Sequence, residues 1–325
     1  MQNVNEIREA LEKAGDIVIF SHRSPDGDTI GGNLALRTLL EMRGKRVSSV
    51  CADPLPHVYA SMPGYDSFAQ EWNRSKVDLY INVDGSSTTQ LVYPEKDPTI
   101  IDGHVPFINI DHHVSNTSFG TINLVRPEAC STTFVLYELF CAFGWGITPM
   151  MATYLLLGIY YDTGSLMHSN TSADVMRVCA ELMRLGADRN LVMNVLYRTR
   201  TPEQLRVWGC VLERVSQHSD GVVISGVTDD DLHAYGASSD EVGGAVDYLN
   251  SVSGATFAVL LSHDRRKGVV KGSTRTRRDD IDLAAFCKQL GGGGHRQASG
   301  FGVGGTLKKR ENISIIGENG ERFTF

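Results

Sequence analysis

The chain has 325 residues, 42% hydrophobic and 21% charged, and its 31 Lys and Arg against 38 Asp and Glu leave a net charge of −7. This balance excludes disorder, a collagen repeat and a long coiled coil, and at roughly 100–200 residues per domain it predicts two domains with real cores. Six scattered cysteines without a C-x-x-C pair argue against both a disulfide framework and a thiolate metal site.

Val4, Ile7 and Leu11 recur at helical spacing, and Asp16 to Phe20 is a short apolar run that reads as a buried strand. A helix is expected from Asp28 to Arg43, stopped by Gly44. Further Val- and Ile-rich runs at Arg46 to Cys51, Val77 to Val83 and Phe107 to Ile110 alternate with helix-length or turn-rich segments. The pattern predicts an α/β fold, with a doubly wound parallel sheet over residues 1–195. Residues 129–143, 149–161 and 172–197 read as helices. The longest nearly apolar run, Tyr154 to Tyr161, is far below the roughly 18 residues of a membrane span. The opening Met1-Gln2-Asn3-Val4-Asn5-Glu6 lacks the basic-then-apolar order of a secretory signal, so a cytoplasmic protein is expected.

Thr201-Pro202-Glu203-Gln204 has the form of a helix start, and 196–214 reads as a helical linker. Residues 215–325 read as a smaller α/β domain, with strands at 222–227, 256–261 and 269–272 and helices at 239–251 and 282–290. Between Arg265 and Arg310 twelve Lys and Arg, at 265, 266, 267, 271, 275, 277, 278, 288, 296, 308, 309 and 310, stand against Asp279, Asp280 and Asp282. A basic region beside an otherwise acidic chain suits an anionic substrate gripped by one part and processed by a cation-binding part.

Three predicted strands end in metal-ligand chemistry: Phe20 leads into Ser21-His22-Arg23-Ser24-Pro25-Asp26-Gly27-Asp28, Val83 into Asp84, and Ile110 into Asp111-His112-His113. Asp162, at the end of a helical run, is a fourth candidate. In open parallel sheets ligands bind beyond the carboxyl ends of the strands, where these groups fall. So many like charges would repel one another without cations. Carboxylate with imidazole and no thiolate suits Mn²⁺ ahead of Fe²⁺, Co²⁺ or Zn²⁺, while Mg²⁺ avoids histidine. The donors exceed one ion's need, so two cations sharing an aspartate, with a bridging hydroxide that attacks a phosphoryl group, is the economical arrangement.

Toward the C-terminus, Gly291-Gly292-Gly293-Gly294-His295-Arg296-Gln297-Ala298-Ser299 offers glycines whose N–H groups can approach an anion, with His295 and Arg296 as added donors. Strand alternation would aim Ser273, Arg275 and Arg277 at a phosphate together.

These motifs resemble the DHH phosphoesterases with their DHH-associated C-terminal domain, over essentially the whole chain. The resemblance implies that His22, Asp26 and Asp84 hold one Mn²⁺, and that Asp28, Asp84, His112 and Asp162 hold the other. It implies that Asp111 orients His112 and that His113 faces the substrate phosphate, stabilising its charge or protonating the leaving oxygen. Ser273, Arg275, Gly292, Gly293, Gly294 and His295 would grip a terminal phosphate or nucleotide in a cleft between the domains. The two-domain layout looks most like the bacterial nanoRNase and pAp phosphatase group, acting on very short RNAs and 3′-phosphoadenosine 5′-phosphate, with a homodimer as one partner expectation. Ser299 departs from the alanine usual at its position, which puts substrate preference in doubt. Two alternatives stand beside this reading: a phosphodiesterase for cyclic or linear dinucleotides (c-di-AMP, pApA, pGpG), and a nucleotide sensor without turnover.

Overall fold

The computed structural model describes residues 3–73, 76–265, 267–308, 314–317 and 322–324. Positions 266, 309 and 310 of the basic segment lie outside the described residues. The chain divides into two units, Met1–Thr199 and Arg200–Phe325.

The first unit runs α1 (Val4–Lys13), β1 (Asp16–Ser21), α2 (Gly27–Glu41), β2 (Arg46–Cys51), β3 (Phe68–Ala69), β4 (Leu79–Val83), α3 (Thr88–Leu91), α4 (Tyr93–Lys96), β5 (Phe107–Asp111), β6 (Ile122–Val125), α5 (Thr132–Phe143), α6 (Pro149–Asp162), α7 (Ala173–Arg184) and α8 (Arg189–Tyr197). Its six strands form one parallel sheet in the order β3-β2-β1-β4-β5-β6. The order reverses between β1 and β4, so a crevice opens where their carboxyl ends diverge.

Alternation along each strand splits the apolar residues between two cores. Ile17, Ile19, Leu79, Ile81, Ile108 and Ile110 pack with residues of α1, α2 and α5–α8. Val18, Phe20, Val50, Tyr80 and Phe107 pack on the other face, with Leu91 and Tyr93 of α3 and α4. Every residue of α6 from Met151 to Tyr160 is buried, as expected for a helix that is apolar all round. Among the described residues no helix is long and apolar enough to cross a membrane.

The second unit runs α9 (Pro202–Glu213), β7 (Ser216–Gln217), β8 (Val223–Val227), α10 (Asp229–Tyr235), α11 (Ala245–Leu249), β9 (Ala258–Asp264), β10 (Val269–Arg275), α12 (Leu283–Gln289), β11 (Gly293–Gly294), β12 (Ala298–Lys308), β13 (Ser314–Gly317) and β14 (Arg322–Thr324). The sheet order is β14-β13-β12-β10-β9-β8-β7, parallel only at β8 and β9, with β11 paired to β12. The helix read as a linker, α9, places Val207, Cys210 and Val211 in this unit's core beside Leu232, Val246 and Leu249. A helix expected over 239–251 is divided: a 3-10 turn at Ser239–Val242 and α11 flank Gly243 and Gly244, and Gly244 has φ 85°. Helical geometry requires negative φ, so the glycine pair ends one segment and starts the next.

Candidate active site

Five aspartates and three histidines gather at the carboxyl edge of the first sheet. The turn after β1 supplies His22, and Asp26 is the N-cap of α2, its carboxylate accepting the Asp28 and Thr29 N–H groups at 3.0 and 3.1 Å. Asp84 follows β4 directly with φ 69°, a left-handed conformation uncommon outside glycine that aspartate tolerates better than most residues. Asp111 ends β5, His112 and His113 follow it, and Asp162 is the last residue of α6.

The side chains converge on Asp84. His22 Nε2 lies 3.4 Å from Asp84 Oδ2 and 3.9 Å from Asp26 Oδ2. His112 Nε2 lies 3.7 Å from Asp84 Oδ1, 4.0 Å from Asp28 Oδ2 and 3.2 Å from Asp162 Oδ2. Two sets of ligand atoms, His22/Asp26/Asp84 and Asp28/Asp84/His112, are each within 4.8 Å of one another and share Asp84.

Neighbouring groups fix these orientations. His22 Nδ1 sits 2.7 Å from the Arg23 carbonyl and His112 Nδ1 3.2 Å from the Ala129 carbonyl. A carbonyl only accepts, so each Nδ1 is the donor and each Nε2 turns to the carboxylates. Asp28 accepts the Thr132 and Thr133 N–H groups at 2.6 and 2.9 Å, at the amino end of α5 where helix dipole and unpaired amides favour an anion. Asp84 accepts the Thr29 and Thr132 hydroxyls at 2.6 and 2.9 Å. Gly158 lies so close that a Cβ there would fall 2.3 Å from Asp28 Oδ1. Thr29, Thr132 and Thr133 escaped the sequence reading; for the last two the signal was Ser131-Thr132-Thr133 opening a helix.

The electrostatics mark a cation site. Burial raises the Asp26 carboxyl to about 6, with the charges of Asp84 and Asp162 adding to it. Burial and the same two neighbours push Asp28 well above the usual range. Burial also acts against charge on Asp84, but the His22 hydrogen bond and the three imidazoles outweigh it and hold this carboxyl far below its ordinary value. At His22 burial is outweighed by the Asp84 hydrogen bond and the charges of Asp26 and Asp84, and the imidazole rises to about 10. His112 is likewise raised well above its usual value, because the Asp162 bond and three carboxylates overcome its burial. Asp162 Oδ2 is buried and faces His112 Nε2 at 3.2 Å. Buried carboxylates crowded together, with imidazole nitrogens facing them, fit divalent cations.

One expected role changes residue. Asp111 Oδ1 accepts from His113 Nδ1 at 2.7 Å and from the backbone N–H groups of His112 and His113 at 2.7 and 3.2 Å. The ring it holds is therefore that of His113, while Ala129 holds that of His112. The turn after β5, in which the Asp111 carboxylate accepts the His113 N–H, puts the second residue after Asp111, not the first, back beside that carboxylate.

In the second unit Ser273 and Arg275 share one face of β10, but Arg277 lies past the strand end and is exposed. Arg275 Nε donates to Asp247 Oδ1 at 3.0 Å. The glycine run serves packing more than the sequence suggests. Gly291 N–H donates to the Lys288 carbonyl at 3.2 Å and Gly292 N–H to the Cys287 carbonyl at 2.8 Å, closing α12. Gly293 and Gly294 pair with Gly300 and Ser299. His295 then turns back, its N–H donating to the Ala298 carbonyl at 2.8 Å. The Ser299 hydroxyl is internal and donates to the His295 carbonyl at 2.6 Å.

A family model described as the DHH family, N-terminal domain, matches residues 16–159, and one described as the DHHA1 domain matches residues 219–317. A protein of Thermus thermophilus named bifunctional oligoribonuclease and PAP phosphatase NrnA is 32% identical over 92% of this chain and 87% of its own. A Bacillus subtilis protein of the same name is 23% identical over 92% of each chain. The crystal structure of an exopolyphosphatase-related protein from Bacteroides fragilis, at 24% identity, has a TM-score of 0.84 and covers 92% of this chain and 90% of that one. With the acidic and imidazole ligand atoms gathered around Asp84 and both domains matched in order, the chain belongs to the DHH family of phosphoesterases.

Proposed function

We propose that the protein hydrolyses very short oligoribonucleotides to mononucleotides and pAp to AMP, using two divalent cations with Mn²⁺ preferred. The observation that carries this reading is the near full-length likeness to the Thermus thermophilus oligoribonuclease and PAP phosphatase. His22, Asp26 and Asp84 would hold one cation, and Asp28, Asp84, His112 and Asp162 the other. The donor set of carboxylates and imidazoles without thiolates supports Mn²⁺. When bound, the cations supply Lewis acidity and neutralise charge on the phosphoryl group.

The chain's own residues do the rest. The threonine hydroxyls and the amino end of α5 orient the Asp84 and Asp28 carboxyls toward the cations, and the facing imidazoles keep Asp84 ionised. His113, gripped through Nδ1 by Asp111, presents its other nitrogen as the acid that protonates the leaving oxygen. The Asp111 bond and the Asp84 charge overcome burial and raise the His113 imidazole above its ordinary value, which favours the proton-carrying form. Ser273, Arg275, His295 and the backbone of Gly293 and Gly294 would bind a terminal phosphate, with His295 and Arg275 as its charged partners, while the Gly292 N–H is committed to the Cys287 carbonyl.

Initial rates with Mn²⁺ on two- to five-residue RNAs, pAp, pApA, cyclic di-AMP and pyrophosphate, measured side by side, test the assignment. The short RNAs and pAp should be cleaved fastest. Preference for cyclic di-AMP or pApA would make the protein a second-messenger phosphodiesterase, and no turnover on any would leave a nucleotide sensor.

A further inference from the structure

Three strands of the first sheet carry an asparagine at the same level. Asn82 of β4 pairs in register with Asn109 of β5, and Asn109 with Asn123 of β6. Asparagine is disfavoured in strands and Asn82 and Asn109 are fully buried, so packing alone gives no reason for them. Two of them stand two residues before a site aspartate, in Asn82-Val83-Asp84 and Asn109-Ile110-Asp111.

Their amides form one directed network. Asn82 Nδ2 donates to Asn109 Oδ1 at 2.7 Å, Asn109 Nδ2 to Asn116 Oδ1 at 2.9 Å, and Asn116 Nδ2 to Asp111 Oδ2 at 2.6 Å. Groups of a single hydrogen-bonding sense fix the orientation at each end. Asp111 as a carboxylate and the Gly85 and Gly120 carbonyls only accept, while the Ser118 and Gly120 N–H groups only donate. Every amide along the path therefore donates toward Asp111, and aligned dipoles in a water-poor interior reinforce one another at the anion. The network also grips the neighbouring turn, because Asn82 Nδ2 and Asn116 Nδ2 donate to the Gly85 carbonyl at 2.8 and 3.2 Å, immediately after Asp84.

We propose that Asn116, backed by Asn109 and Asn82, is a positioning residue that locks the Asp111 carboxylate so that its Oδ1 stays on the His113 ring, and that it ties the Asp84 turn to the Asp111 turn. The inference rests on the assignment of His113 as the leaving-group acid. Asp111 is wholly buried, and Oδ2 has Asn116 as its donor. With that donor removed the carboxylate is held through Oδ1 alone, and the His113 ring is less firmly directed while substrate contacts stay.

The test uses the full-length chain with Asn116→Ala and the near-isosteric Asn116→Leu, which keeps the bulk and cannot donate. Thr121→Ala is the control: its hydroxyl bonds Phe107 at the opposite end of β5. With Mn²⁺ and either pAp or the chromogenic diester bis(p-nitrophenyl) phosphate, both Asn116 variants should lose at least about 10-fold in kcat with KM within about 2-fold, the scale of losses when an outer partner of a site group is removed. In metal-free, ¹⁵N-histidine-labelled protein, the far-downfield Nδ1 proton of His113, identified by its loss in His113→Gln, should move upfield or broaden in both Asn116 variants. Thr121→Ala should keep that resonance and its kcat. An unmoved resonance in folded Asn116→Leu, or an equal loss of kcat in Thr121→Ala, would overturn the proposal. The resonance needs no substrate, so it separates failure of this inference from failure of the functional assignment.

Discussion

Asp162 Oδ2 and His112 Nε2 stand 3.2 Å apart, one at the last residue of a helix and the other just after a strand. A helix carboxyl end carries partial negative charge, so a buried carboxylate there is held against its own helix and needs positive charge opposite it. The His112 imidazole provides that charge in the metal-free chain, and a cation would provide it in the loaded one.

A two-site arrangement predicts unequal effects of removing ligands. Asp162→Asn should remove one of two Mn²⁺ binding events in a calorimetric titration, whereas Asp84→Ala, at the shared position, should weaken both. Hydrolysis should fall by at least about 10²-fold in Asp84→Ala, the scale of losing one electrostatic contact in a water-excluded site. Two intact binding events in Asp84→Ala would refute the shared-ligand assignment.

The metal-free protein should lose stability as pH rises above neutrality. His22, raised to about 10 against its burial by Asp84 and Asp26, contributes stability in full below its unfolded value of 6.5 and loses it as pH climbs toward the folded one. Chelator-treated protein should therefore melt at falling temperature between about pH 6.5 and 8.5, inside that window. Cation binding takes over the role of the His22 proton, so the loaded protein should have a flatter curve. Parallel curves with and without Mn²⁺ would count against His22 as a ligand.

Ser299→Ala should act on the His295 turn. The buried hydroxyl closes that turn on the His295 carbonyl, and its loss should cost about 1 kcal/mol of stability in denaturant titration. In steady-state assays the KM for pAp should rise while kcat stays nearly constant, because the change touches the turn proposed to bind phosphate and leaves the groups around Asp84 alone. A fall in kcat with unchanged KM would instead place Ser299 in the chemical step.

Two neighbouring glycines should respond in opposite ways. A Cβ at Gly292 would lie 2.0 Å from the Gly300 carbonyl oxygen, a backbone atom that cannot move aside, whereas at Gly293 it would meet nothing within 4 Å. Gly292→Ala should destabilise the second unit by roughly 3 kcal/mol or prevent its folding. Gly293→Ala should melt within a degree or two of the parent. Equal tolerance of both substitutions would show that the close approach at Gly292 does not constrain this turn.

Much of this protein was legible in the chain because local patterns report local physics. Val- and Ile-rich runs alternating with amphipathic segments announced a parallel α/β sheet, and carboxylates and histidines placed after those runs marked one sheet edge. His22, Asp26, Asp28, Asp84, Asp111, His112, His113 and Asp162 could be named as candidates on that basis, while their division into ligands and other roles came from the family resemblance. What tertiary structure decided were relationships set by long-range pairing, on which periodicity is silent. The reversal between β1 and β4 put Asp84 in the middle, and the turn after β5 gave Asp111 to His113. Asn82, Asn109 and Asn123 became one ladder only through register. The glycine run likewise looked like backbone offered to an anion. In the fold Gly291 and Gly292 cap α12, because a helix end must satisfy its own carbonyls first.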